Sequence, residues 1–250
     1  MTELFENERI DYVNDRISLI QKTDGLTFGT DALLLAAFIS KQDKTALELG
    51  GGSGIVSMLL AARCRFSHIL CAEVQKEYAE LINRNLSLNS LSDRVRVLCA
   101  DIREHYLLGD MGSYDAVFSN PPYMTAKSGA LCELGSKSIA RHELFGGIDD
   151  FAACAEKMLK YGGRFYVVYR PDRLVDLIYT LRAHRLEPKR MTLVHARQEL
   201  APSMVLLESR LGGKGDLRVT RPLILTRDGQ NTEDYDYLLS NGILPKSLLE

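Results

Sequence analysis

Asn120-Pro121-Pro122-Tyr123 is the stretch whose residue types most restrict the chemistry of this chain. Two adjacent prolines can neither continue a strand ladder nor begin an ordinary helix. They fix a stiff turn between an amide and an aromatic ring. The Asn120 side-chain oxygen and the Pro121 carbonyl can accept the two N–H bonds of a planar nitrogen, such as the exocyclic amine of adenine or the amide of glutamine. Such a nitrogen has a delocalised lone pair and is a poor nucleophile. Holding both N–H bonds favours sp³ character, so methylation can proceed by positioning and electrostatics without a strong base. Tyr123 offers a face on which a base can stack, a contact worth about 1–3 kcal/mol. The plainer alternative is a turn with an incidental tyrosine.

A second constellation supplies a binding loop. Glu48-Leu49-Gly50-Gly51-Gly52-Ser53-Gly54 falls between an apolar run and a helical one. Glycines allow a sharp turn and the close approach of a ligand. A dinucleotide fingerprint counted from Gly50 needs a third glycine at position 55, where Ile55 stands. No Lys-Ser/Thr follows, so the loop is not a phosphate-cradling Walker loop. Glu73 closes the next apolar run and is placed to accept from two ribose hydroxyls. Asp101 closes the one after that; it can accept from an adenine amine while Ile102 packs on the ring. Together, Gly50, Gly52 and Gly54 with Glu48, Glu73 and Asp101 describe an adenosine with a free ribose and no phosphate. S-adenosylmethionine (AdoMet) is the common cofactor of that description.

The elements that must position these residues alternate. Strands are expected at 45–50, 68–74, 94–101, 114–120 and 164–170. Helices are expected at 31–39, capped by Thr30 or Asp31, and at 55–64, 76–88, 150–160 and 173–185. Tyr161-Gly162-Gly163 reads as the stop of the fourth of these. Strand–helix alternation calls for an α/β, Rossmann-like, mostly parallel sheet with helices on both faces. Strands near 190–196 and 204–211 lack a helix between them and are expected as an antiparallel edge hairpin. Residues 1–30 read as an N-terminal extension that is only partly regular, and 31–250 as one domain.

Composition sets outer limits. With 26% charged and 46% hydrophobic residues, the 250-residue chain has a globular composition, not a disordered one. The five cysteines (64, 71, 99, 132, 154) contain no Cys-x-x-Cys pair, which argues against zinc and against a secreted disulfide framework. The expectation is a cytoplasmic protein with no metal and no membrane span. A net charge of −2 excludes a chain that is basic throughout, yet 157–221 carries about twice as many basic as acidic residues. Lys189, Arg190, Arg197 and Lys214, with Arg218 and Arg221, are candidates for a phosphate-contacting face.

With the glycine loop and Asn120–Tyr123 in place, the chain resembles the tRNA1(Val) adenine-N6-methyltransferase family. The likeness runs from about Arg16 to Leu223. It includes Ile20-Gln21, Phe28-Gly29-Thr30-Asp31-Ala32-Leu33-Leu34-Leu35, Ala72-Glu73-Val74-Gln75, Ala140-Arg141-His142-Glu143 and Leu159-Lys160-Tyr161-Gly162-Gly163-Arg164-Phe165. Glu187-Pro188-Lys189-Arg190 and Arg221-Pro222-Leu223 match as well. The resemblance implies a seven-stranded methyltransferase sheet, AdoMet as cofactor, and methylation of N6 of the adenosine beside the anticodon of a valine tRNA. It also implies that the segment with Gln21, Thr30 and Asp31 covers the cofactor site, and that Arg141 and His142 lie near the substrate. Two positions depart from the family pattern: Glu48, where aspartate is commoner, and Gly51, where threonine is usual. Rival acceptors are a release-factor glutamine, DNA adenine or another RNA. The second is expected to come with a target-recognition domain, for which this length leaves no room; the first usually carries a helical N-terminal domain, which residues 1–30 are not expected to form. A binding module that has lost catalysis is the rival from another class.

Overall fold

The computed structural model describes residues 4–23, 28–40, 42–122 and 146–249. The chain opens with a hairpin, β1 (Glu8–Asn14) and β2 (Ile17–Lys22). This differs from the irregular extension expected. Its turn is made by Asn14, whose Oδ1 accepts from the backbone N–H of Arg16 (2.9 Å) and Ile17 (3.0 Å). Ile17, Leu19 and Ile20 are fully buried. The charged residues of β1 hide this pattern in the sequence, because that strand is largely solvated.

Helix α1 (Thr30–Phe38) follows, then β3 (Asp43–Leu49), α2 (Ile55–Ala62), β4 (Phe66–Glu73), α3 (Lys76–Leu88), β5 (Val95–Cys99) and β6 (Tyr114–Ser119). After the 123–145 stretch come α4 (Ile148–Met158), β7 (Leu159–Tyr169), α5 (Leu174–Ala183), β8 (Leu186–Arg197) and β9 (Met204–Leu211). Strands β10 (Arg218–Val219), β11 (Leu223–Arg227) and β12 (Gln230–Asn231) and helices α6 (Glu233–Asn241) and α7 (Lys246–Leu249) complete it.

The main sheet runs β12-β11-β8-β9-β7-β6-β3-β4-β5, with β10 on β8. Strands β3 to β9 supply the seven expected, and β9 runs antiparallel to both its neighbours. The count is larger than expected and β8 is not the edge. β11 joins β8 in parallel on its outer side, and β12 follows. These additions are too short to give a readable alternation. The carboxyl ends of β3, β4, β5 and β6 all face one side, and the chain crosses between β6 and β4 at β3, the switch point where ligands bind in open α/β sheets.

One face is covered by α1, α2 and α3 and the other by α4 and α5, each with its own apolar layer. In α3 the buried residues Tyr78, Ala79, Leu81, Ile82, Asn85 and Leu86 form one stripe at helical spacing. The fourth helix ends two residues earlier than expected, and Tyr161-Gly162-Gly163 does not stop it. Strand β7 begins at once, and the register between Tyr114↔Leu159 and Ala116↔Arg164 shifts there. Gly162, at φ +79°, therefore serves a bulge, braced by the Lys160–Asp115 ion pair at 2.6 Å.

Asn85 and Asn89 on α3 act as a substitute strand for the hairpin. Asn85 Oδ1 accepts from Ile20 N (2.7 Å), and its Nδ2 donates to Ile20 O (3.1 Å) and to Ser53 O in the glycine loop (3.2 Å). Asn89 does the same for Ser18, at 2.9 and 2.7 Å. The edge of β2 is thereby satisfied without another strand.

Candidate active site

The glycine loop leaves β3 under tight backbone control. Gly50 N and Gly51 N both donate to Ala72 O, at 2.9 and 3.1 Å, tying the loop to the end of β4. Gly50, Gly52 and Gly54 have φ of +73°, +56° and +80°, a region that L side chains rarely adopt. A Cβ added at Gly52 would meet nothing within 4 Å, so the loop's outer surface is open to a ligand. At Gly51 the reason for glycine is different: a Cβ there would run into Cys71 Sγ and lie 3.0 Å from Ile82 Cδ1. The Cys71 thiol takes the space that a side chain at 51 would need.

Glu73, 4% exposed, lies at the loop. Its Oε2 accepts from Gly52 N and its Oε1 from Gln75 N, both at 2.9 Å. Burial pushes its carboxyl above the ordinary glutamate value, against these bonds. Each oxygen has a second lone pair, so the group can hold the loop and still accept from a ribose diol.

Glu48 is placed differently from the expected cofactor contact. It is 2% exposed, and its Oε2 accepts from Ser57 Oγ, from Ser57 N (3.3 Å) and from Cys71 Sγ (3.4 Å). Glu48 thus pins the first turn of α2 to β3 beneath the loop. Burial pushes its carboxyl from 4.5 to about 7. A raised acid favours the protonated folded state, so its contribution is full below pH 4.5 and is lost as pH rises through about 7. Glu48→Gln keeps the shape without that loss. The melting-temperature advantage of the variant over the wild type is expected to widen from pH 5 to pH 8, with an underlying difference on the order of 3 kcal/mol. A gap independent of pH would refute this account.

Asp101 follows β5 and is held by Arg103, whose Nε lies 2.9 and 3.0 Å from its two oxygens. That guanidinium keeps the Asp101 carboxyl below the ordinary aspartate range. Ile102 is buried beside it.

Asn120 follows β6, whose last residue, Ser119, donates from Oγ to Leu49 O at 2.7 Å. The Asn120 Nδ2 donates to Asp31 Oδ2 at 2.8 Å. Pro121 is buried and Pro122 exposed. Asp31 does not cap α1 as expected. Gly29 occupies the N-cap position without a side-chain cap bond, and Asp31 Oδ1 accepts from Ala32 N at 2.9 Å. Gln21, 2% exposed, fixes the approach to this turn, its Oε1 accepting from Phe28 N at 2.7 Å. The capping logic in the sequence missed the Asp31–Asn120 link because 89 residues separate the partners.

A cleft of about 610 Å³ lies on this side, lined by Thr30, Asp31, Tyr169, Arg170, Pro202 and Met204 among others. A larger cavity of about 690 Å³ opens at the amino ends of β3 and β4, around Asp43, Lys44 and Phe66. The smaller one is the better candidate, because it is at the carboxyl edge with Asp31 in its wall.

The basic residues expected on one face are divided. Arg197 is exposed at the carboxyl end of β8, whereas Lys189 lies about 26 Å away near the strand's other end. Lys189 Nζ donates to Lys214 O at 3.0 Å. Arg190 is committed to packing: its guanidinium lies over the Phe38 ring at 4.1 Å and its NH2 group is 2.8 Å from Glu208. Tyr123, Arg141 and His142 lie outside the described residues. Among the described residues, no group of three or more His, Cys, Asp or Glu could hold a metal ion, and no helix is long and apolar enough to cross a membrane.

A switch-point glycine loop, an acid at the end of the next strand and an Asn-Pro-Pro turn on the far side define a methyltransferase-type site on an α/β sheet. Residues 22–176 match the methyltransferase small domain model, and the chain belongs to that family. Curated relatives named tRNA1(Val) (adenine(37)-N6)-methyltransferase include one from Phocaeicola vulgatus, 27% identical over 81% of this chain and 82% of its own. One from Shigella boydii is 31% identical over 58% of this chain and 59% of its own. Among solved structures, a predicted O-methyltransferase from Agrobacterium tumefaciens is similar at a TM-score of 0.70 with 24% identity, over 86% of this chain and 98% of that one. TYW2 of M. jannaschii, solved in complex with AdoMet, is similar at 0.56 with 13% identity, over 83% and 87%.

Proposed function

We propose that this chain uses AdoMet to methylate the exocyclic N6 of an adenine in tRNA, and that the adenine is position 37 of a valine tRNA. The observation that carries the reading is Asn120 at the carboxyl end of β6, beside the glycine loop and held by Asp31. The names of the relatives at 27–31% identity support the choice of acceptor. When bound, AdoMet supplies an electrophilic methyl group. The open surface over Gly52 and the buried Glu73 carboxylate fit its adenosine half. Asn120 and the Pro121 carbonyl hold the acceptor amine by its N–H bonds, so the lone pair is directed at the methyl carbon. A base in an anticodon loop is already partly unstacked, which lowers the cost of reaching the turn.

The test is transfer of labelled methyl from AdoMet to unmodified total tRNA, with a ribosome-free protein extract in parallel. Label recovered as N6-methyladenosine, mapped by sequencing to position 37 of valine tRNA, is the expected result. Label in protein alone would move the acceptor to glutamine. Label in neither, with AdoMet still bound, would overturn the reading.

A further inference from the structure

We propose that Asp31 is a positioning residue for catalysis: its carboxylate sets the orientation of the Asn120 amide and thereby aims the Asn120 oxygen at the methyl acceptor. The inference rests on the reading of Asn120 given above.

An asparagine amide is nearly symmetric in shape, and its two flips present opposite hydrogen-bonding characters. One presents an oxygen to a neighbour, the other an NH₂. Only an oxygen can accept from an amine that is becoming a nucleophile. A carboxylate has acceptors only, so the group facing Asp31 Oδ2 at 2.8 Å must be the amide nitrogen. The oxygen is then directed elsewhere by the same bond. A charge-assisted bond of this kind biases the two flips by about ten- to a hundredfold. It also draws electron density onto the amide oxygen, which strengthens it as an acceptor while positive charge grows on the attacking nitrogen.

Asp31 is itself fixed. Its Oδ1 accepts from Ala32 N at 2.9 Å in the first turn of α1, where the helix favours an anion. The turn is held by Gln21, which takes Phe28 N at 2.7 Å. Gln21 sits on β2, and β2 is clamped to α3 through Asn85 and Asn89. A segment that precedes the whole sheet therefore reaches into the site with a defined carboxylate. The same residue lines the 610 Å³ cleft at the carboxyl edge of the sheet.

The test uses the full chain with Asp31→Ala, Asp31→Asn, Asn120→Ala and the Asp31/Asn120 double alanine variant. Asp31→Ala is expected to lower kcat by about thirtyfold while AdoMet Kd, by calorimetry, stays within about threefold. Asp31→Asn keeps one acceptor oxygen and is expected to recover most of that loss. The double variant is expected to be no slower than Asn120→Ala, because both act through one amide. Additive losses, or a tenfold weaker AdoMet Kd in Asp31→Ala, would overturn the proposal. A readout independent of turnover separates it from the functional reading. In ¹⁵N spectra the Asn120 side-chain NH₂ protons should be shifted apart and exchange slowly in the wild type, keep both properties in weaker form in Asp31→Asn, and lose them in Asp31→Ala. If those signals change as expected while no methyl reaches RNA, the functional reading fails and the orientation stands. If the signals are unaltered in the folded Asp31→Ala variant, the orientation is refuted whatever the activity.

Discussion

Asn120→Ala lowers kcat by about 10²–10³ and leaves AdoMet Kd within about threefold. The magnitude follows from what the residue is asked to do. An exocyclic amine gains positive charge only as its lone pair leaves the ring, so an acceptor aimed at its N–H bonds is worth more in the transition state than in the ground state. Alanine removes that acceptor and keeps the Pro121-Pro122 turn. It also leaves Asp31 without its 2.8 Å donor, yet Ala32 N still holds Asp31 in place. The cofactor loop is anchored through Ala72 and Glu73, not through Asn120, so affinity is spared. Single-turnover rates beside calorimetric titrations check this. A kcat within threefold of wild type, or a Kd that worsens in step with kcat, would remove Asn120 from the chemistry.

Glu73→Gln does the opposite. AdoMet Kd rises by about a hundredfold, equivalent to about 2.7 kcal/mol. Both carboxylate oxygens already receive a backbone N–H, from Gly52 and Gln75 at 2.9 Å. A glutamine must turn its own NH₂ toward one of them. That sets donor against donor, distorts the loop at Gly52 and removes one acceptor from the ribose. Two charge-assisted bonds of roughly 1.5–3 kcal/mol each are at stake, and the variant loses most of their sum. Calorimetry with AdoMet measures it directly. With saturating cofactor, the rate should return to within a fewfold of wild type. An unchanged Kd would mean that Glu73 serves the loop alone.

The alternation of strands and helices from 45 to 185 was legible because a parallel sheet buried on both faces leaves short apolar runs between amphipathic stretches. Turns were readable where glycine had one role, as at Gly50, Gly52 and Gly54. They misled where it had another: Gly162-Gly163 marks a bulge in β7, and a helix stop reads the same in sequence. The β1–β2 hairpin was missed because its ladder partner on one side is a pair of asparagine side chains. Strands β10, β11 and β12 are too short to show a period. Within the site, strand-end acids were visible as residue types, but their duties were not. Glu48 and Glu73 look alike in sequence. Burial behind Ser57 and Cys71 gives one to the fold, while the second sits at the loop with lone pairs to spare. The Asp31–Asn120 contact depends on a chain reversal that no local pattern announces. The spread of Lys189 and Arg197 along one strand likewise follows from strand rise, which a count of charges ignores.

The close approach of Cys71 to the backbone at Gly51 makes the order of substitutions matter. Threonine at 51 and cysteine at 71 compete for the same volume, so an exchange at 51 depends on what stands at 71. Threonine at 51 requires the Cys71 thiol to turn away or residue 71 to be smaller; introduced first and without that adjustment, it overpacks the loop. The two sites are 20 positions apart, and a library that varies 51 alone will score as intolerant a position that is merely conditional.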